Sequence, residues 1–181
     1  PSQFMQDFYT KRGFFSQANL FVDISDLSKE KAIKIKHTNK KLLFVGSLAT
    51  HKGIGTLMQI WEQLGLVGKD DMELHIVGDG ELHEHVTAWA KRDHRIVVYG
   101  RLDTEKVYEL YKESSVLLFT STCIENRPNV IIEALRFGLP IIAANTGGVS
   151  ELLQHKKQAW LVEPVDVDGF LKQIYNLGVT N

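Results

Sequence analysis

Cys123 is the only cysteine among 181 residues, so no disulfide forms within the chain, and a reducing compartment is the default. Charge of neither sign is in surplus. A formal net charge of −1 exerts no global pull on nucleic acid or on an anionic membrane. No apolar run approaches the roughly 20 residues a spanning helix needs, and no signal peptide is visible. Internal repeats and low-complexity tracts are also missing. The stretch Leu43 to Ile54 lacks both glycine-rich fingerprints, G-x-G-x-x-G and the Walker sequence ending in Gly-Lys-Ser/Thr. That counts against a nicotinamide dehydrogenase and a P-loop phosphatase. Because the chain opens at Pro1 rather than Met, it is expected to be a piece of a longer protein.

What is present fits an ordinary soluble globular domain: 44% hydrophobic and 24% charged residues, enough for one well-buried α/β domain and short for two. Residues 1–40 differ from the rest. Phe4, Met5, Phe8 and Tyr9 recur at helical spacing, Gly13 is placed to end that helix, and Asn19 to Ile24 suit a short extended stretch. A polar segment with Lys29, Lys31, Lys34, Lys36, Lys40 and Lys41 reads as a solvated linker or exposed helix rather than a lipid-binding patch. From Lys41 onward strands are predicted over 41–46, 72–78, 95–99, 115–120, 140–144 and 158–162. Helical patterns fill 53–65, 80–92, 103–113, 128–138, 148–154 and 167–177. Helices of this length between strands imply right-handed crossovers. The fold class is therefore α/β, a Rossmann-like parallel six-stranded sheet with helices on both faces.

Chemistry concentrates after the fourth strand. The run Val116-Leu117-Leu118-Phe119 suits a strand buried on both faces. Pro128 fits the first position of the next helix, where its missing N–H costs nothing. Glu125 then lies on the loop at the strand's carboxyl end, and Glu133 about two turns into the helix. Ligands bind at that edge of an open α/β sheet. Ionised carboxylates only accept hydrogen bonds, which suits a ligand rich in hydroxyls. Helix N-terminal amides near Asn129 and Val130 suit a phosphate, and since Pro128 has no N–H, Arg127 and Asn129 are the expected backbone donors. Lys52 stands just before another helix start, where its ammonium and the backbone N–H groups there suit one anion. Taken alone, Lys52 also reads as a solvated loop lysine, Glu125 as a loop acid and Glu133 as an exposed helix residue.

In sequence order, these residues resemble one family. Phe44-Val45-Gly46 with Lys52-Gly53, Ile76-Val77-Gly78-Asp79-Gly80-Glu81-Leu82 and Val98-Tyr99-Gly100-Arg101-Leu102 come first. Glu125-Asn126-Arg127-Pro128-Asn129-Val130-Ile131-Ile132-Glu133-Ala134-Leu135 follows, then Gly138-Leu139-Pro140 and Gly147-Gly148-Val149-Ser150-Glu151. Residues 41–164 look like the nucleotide-sugar-binding, C-terminal half of a GT-B glycosyltransferase of retaining family 4 (glycosyl transferases group 1). The resemblance implies that Glu125 binds donor-sugar hydroxyls, Glu133 the ribose, and Lys52 the departing diphosphate, helped by amides around Arg127 and Asn129. Asn126 falls within the same donor-binding block. Gly100, Arg101 and Leu102 would border the nucleobase. Relatives commonly carry arginine where this chain has Ser47, which can hydrogen-bond a phosphate but brings no charge.

On that resemblance, 1–40 is the interdomain linker and tail of a missing N-terminal domain, and 41–181 the Rossmann-like donor-binding domain. The expected activity is sugar transfer from a UDP- or GDP-linked donor to a carbohydrate or lipid-linked acceptor, with the acceptor held by the missing domain. No cofactor, metal or nucleic acid is expected, and the fragment alone should transfer no sugar. The full-length protein would be cytoplasmic, with peripheral contact at the inner face of the membrane. The competing readings are a non-catalytic glycosyltransferase-like accessory module, favoured by Ser47, and half of a nucleotide-sugar epimerase. His83 and His85 do not share a helix face and suggest no metal site. His51 reads as a solvated loop imidazole, Cys123 as a small buried residue without a base partner, and Trp61, Trp89 and Trp160 as packing.

Overall fold

A computed structural model describes residues 2–14, 40–66, 71–153 and 159–178. The predicted stretch Asn19 to Ile24 and the lysines from Lys29 to Lys36 lie outside the described residues. Six parallel strands form one sheet: β1 (Lys41–Val45), β2 (Glu73–Val77), β3 (Ile96–Gly100), β4 (Val116–Phe119), β5 (Ile141–Ala144) and β6 (Ala159–Val162). Their spatial order is β3-β2-β1-β4-β5-β6. The helices are α1 (Gln3–Thr10), α2 (Ile54–Leu66), α3 (His83–Ala90), α4 (Thr104–Glu113), α5 (Asn129–Arg136), α6 (Val149–Leu153) and α7 (Val167–Asn176). This is the doubly wound arrangement expected from the strand–helix alternation. Among the described residues no helix is long and apolar enough to cross a membrane.

Strand alternation sorts the core into two layers, because successive side chains point to opposite faces. Leu42, Phe44, Leu74, Ile76, Val116, Leu118 and Ile142 meet α2, α3 and α7 on one face, where Trp61 and Trp89 are buried. On the other, Leu43, Val77, Leu117, Phe119, Ile141 and Ala143 meet α4, α5 and α6. Each fully buried Leu or Ile side chain contributes about 1.5–3 kcal/mol. Trp160 lies in β6 and packs half-buried against the first layer.

Two helix starts depart from expectation. The helix predicted from residue 80 begins at His83, because Gly80 holds a φ of 156°, outside the helical region, and its carbonyl accepts from the His83 N–H at 3.0 Å in a turn. Pro128 is the N-cap of α5 rather than its first helical residue: its ψ of 121° is extended, so the helix begins at Asn129.

The expected early helix is α1, and Gly13 follows it with φ of 77°. Its first turn is fastened to the sheet domain. Glu151 Oε2 accepts from the Gln3 N–H (2.8 Å), Glu151 Oε1 from the Phe4 N–H (2.5 Å), and Asn126 Oδ1 from the Ser2 N–H (2.8 Å). Ser2, Gln3 and Phe4 thus tie the start of α1 to the loop after β4 and to α6. Lys41, counted with the polar segment, opens β1 and pairs with Glu113 at 3.1 Å.

Candidate functional site

The winding of the sheet reverses between β1 and β4, and in such sheets a crevice opens at that point beyond the strands' carboxyl ends. The loops leaving these two strands are stitched together. After β1 a single 3-10 turn, Thr50–Lys52, ends at Gly53, whose φ of 73° is left-handed. Thr120 Oγ1 donates to the Lys52 carbonyl (3.0 Å), while the His51 carbonyl accepts from the Thr122 N–H (2.9 Å) and Oγ1 (3.1 Å). Between the loops lies a cavity of about 210 Å³. Ser47 and Lys52 contribute to its wall from the β1 side, Thr120, Ser121 and Glu125 from the β4 side, and Asn129 and Val130 from α5.

Lys52 and Glu125, 73 residues apart in sequence, meet here with Nζ 2.6 Å from Oε1. Ser121 Oγ donates to the same oxygen at 2.6 Å, and Cys123 Sγ at 3.3 Å. The Glu125 carbonyl accepts from the Gly148 N–H at 2.7 Å. Burial of Glu125 (9% exposed) by itself pushes its carboxyl up. The hydrogen bonds from Lys52 and Ser121, then the lysine charge and Cys123, outweigh that and hold it below the usual carboxylate range. The site therefore keeps a charged acid and a cation in contact under one roof.

The first turn of α5 completes the wall. Ser2, Asp103 and Asp166 cap α1, α4 and α7 with their side chains, but α5 has no side-chain cap. The Ile131 and Ile132 N–H groups turn back to the Pro128 carbonyl at 3.1 and 3.5 Å, while Asn129 and Val130 line the cavity. The positive end of the helix dipole and two amides thus stand at the wall, beside Lys52.

Of the residues singled out from sequence, Ser47, Lys52, Glu125 and Asn129 converge on this cavity. Glu133 lies one turn along α5 from Asn129, outside the cavity wall, with Oε2 accepting from Tyr111 OH at 3.0 Å. Asn126 is turned to Ser2, the N-cap of α1, and Arg127 is half-buried beside the wall rather than in it. Gly100 ends β3, two strands from β1, and Arg101 and Leu102 follow it, with Arg101 exposed and the Gly100 carbonyl accepting from the Gly78 N–H at 2.8 Å.

Cys123 corrects the sequence reading. It is half-buried and lies against the Glu125 carboxylate, because the turn folds residue 125 back over residue 123. His83 pairs with Asp79 at 3.4 Å, and among the described residues no group of three or more His, Cys, Asp or Glu is arranged to hold a metal. Sequence reasoning missed Ser121 and Tyr111, the partners of the two glutamates. Ser121 sits four residues before Glu125, a spacing that carries no signal outside a helix.

A family model for glycosyl transferases group 1 matches residues 39–178. An uncharacterized glycosyltransferase of Haemophilus influenzae is 36% identical over 148 residues, which are 81% of this chain and 41% of that protein. The apo structure of the lipopolysaccharide outer core galactosyltransferase WaaB matches with a TM-score of 0.71 at 21% identity, covering 99% of this chain and 52% of that one. Anabaena HepE in complex with UDP-glucose matches with a TM-score of 0.67 at 23% identity, covering 79% of this chain and 41% of that one. At such identities the structural likeness carries the fold, which is that of GT-B glycosyltransferases. The chain spans less than half the length of the curated relatives it matches. Across most of its sequence, and in the sheet that builds this cavity, the chain belongs to the glycosyl transferases group 1 family.

Proposed function

We propose that this chain is the C-terminal, donor-binding domain of a retaining family 4 glycosyltransferase. The whole protein would move a sugar from a nucleotide diphosphate donor to a glycan or lipid-linked acceptor. The observation that carries this reading is the meeting of Lys52 and Glu125 at 2.6 Å beside the α5 amides, in the crevice between β1 and β4. Breaking the anomeric bond leaves negative charge on the departing diphosphate. Lys52 and the Asn129 and Val130 amides supply fixed positive charge to it, and preorganised charge of this kind contributes more to rate than any other single effect in many enzymes. Ser47 adds a neutral hydroxyl at the same wall.

Glu125 accepts hydrogen bonds from the donor sugar. Glu133, already held by Tyr111, accepts from the ribose, and the backbone of Gly100, Arg101 and Leu102 borders the base. UDP-glucose in HepE supports a uridine donor, and the lipopolysaccharide galactosyltransferase supports a glycan acceptor.

Calorimetric titration with UDP, GDP and their sugars tests the reading. Weak binding of one nucleotide series is expected, and Glu133→Ala should reduce it. Failure of every nucleotide to bind at millimolar concentration overturns the donor-binding role. Unchanged affinity in Glu133→Ala removes the ribose assignment alone.

A further inference from the structure

Three donors converge on a single oxygen of the cavity. Lys52 Nζ, Ser121 Oγ and Cys123 Sγ all reach Glu125 Oε1, and none of the three contacts falls on Oε2. Ser121 is itself 1% exposed, so its hydroxyl fixes the carboxylate from below. The lysine's counter-ion is thus built into the protein, and its charge persists because the donors outweigh its burial. Any phosphate that engages Lys52 must lie against this fixed anion.

We infer that Glu125 makes the cavity select an intact sugar nucleotide over the bare nucleoside diphosphate, an inference that rests on the donor-binding reading. Esterification by the sugar masks one phosphate oxygen. Above a second phosphate pKa of about 6, the diphosphate therefore carries about one more negative charge than the donor. The donor also brings hydroxyls, which Oε2 can accept. With the donor, Glu125 gains hydrogen bonds. With the diphosphate it faces a terminal phosphate dianion across Lys52. Repulsion at such distances, screened by solvent at a half-open site, is worth on the order of tenfold in affinity. One carboxylate thereby tightens on substrate and loosens on product, which speeds clearance of the cavity after transfer.

Calorimetric titrations of the wild-type chain and of Glu125→Gln decide this, with UDP, UDP-glucose, GDP, GDP-mannose and inorganic pyrophosphate as probes. Glu125→Gln should bind the diphosphate and pyrophosphate on the order of tenfold more tightly and the sugar nucleotide more weakly, reversing their order. Glu125→Asp, which keeps the charge, should keep the wild-type order. In the wild type, preference for the sugar nucleotide should grow as pH rises from about 5.5 to about 7.5, through the phosphate ionisation. A variant that shifts both ligands alike, or a wild-type preference flat with pH, overturns the inference and leaves the donor reading standing. The pH series needs no variant, so it decides even where Glu125→Gln does not fold. Absence of all nucleotide binding by the wild type removes both.

Discussion

Gly53 and Gly55 lie two residues apart, and alanine should act on them in opposite directions. At Gly53 the φ of 73° costs an alanine about 1 kcal/mol. The added Cβ would also stand 1.9 Å from the Thr120 carbonyl oxygen and 2.6 Å from its carbon, both backbone atoms. Thr120 must retreat by about 1 Å or more to restore ordinary contact. That motion breaks Thr120 Oγ1 to Lys52 O (3.0 Å) and Thr122 N to His51 O (2.9 Å), each worth about 1 kcal/mol. With the strain of the displaced loop the whole loss is about 4 kcal/mol, and it opens the joint between the β1 and β4 loops that brings Lys52 to Glu125. At Gly55, near the start of α2, a Cβ meets nothing within 4 Å, and alanine should gain about 0.5–1 kcal/mol of helix propensity. Urea unfolding followed by tryptophan fluorescence reads both. With a slope of about 2 kcal/mol/M, Gly53→Ala should lower the midpoint by about 2 M, and Gly55→Ala should raise it by about 0.4 M. A Gly53→Ala midpoint within about 0.3 M of wild type would refute the proposed stitching of the two loops.

Two further perturbations probe the periphery. Asp93 accepts from Arg95 Nη2 (2.6 Å), Arg95 Nε (2.9 Å) and Trp61 Nε1 (3.0 Å), and chiefly the Arg95 side chain holds its carboxyl far below the usual carboxylate range. With the folded pKa depressed, the stabilisation is present above about pH 4 and is lost as pH falls toward the folded value. Asp93→Asn should therefore cost about 1–2 kcal/mol at pH 7 and progressively less below pH 4. Denaturation midpoints at pH 7 and pH 3 check the sign, and an equal gap at both contradicts it. Glu151→Gln should weaken the charged cap on the Gln3 and Phe4 amides by about 1.4 kcal/mol, raising detachment of α1 about tenfold. Faster tryptic cleavage at Lys11 and Arg12, with the global midpoint nearly unchanged, is the expected result; unchanged cleavage would mean that the cap does not hold α1.

The sheet was legible because its strands are short apolar runs, such as Val116 to Phe119, bounded by turns and separated by helix-length gaps. All six appear within about two residues of the predicted bounds, well inside the usual scatter of element ends. The nearness of Lys52 to Glu125 was legible only through the resemblance, since 73 residues separate them and no spacing rule spans a crossover. Ser121 and Cys123 around Glu125, and Tyr111 beneath Glu133, were not legible at all. Their contacts depend on how loops and helices pack over the sheet, and none falls on a periodic pattern. Asn126 shows the same limit from the other side. The resemblance implies a place for it in the donor-binding block, whereas its side-chain oxygen accepts from the Ser2 N–H.

Ser2 grips Asn126 and the next two amides grip Glu151, so the chain's opening turn is mechanically in series with the acid that touches Lys52. The side chain that holds Ser2 is one residue from Glu125, so the tie to α1 and the grip on Lys52 share one short loop.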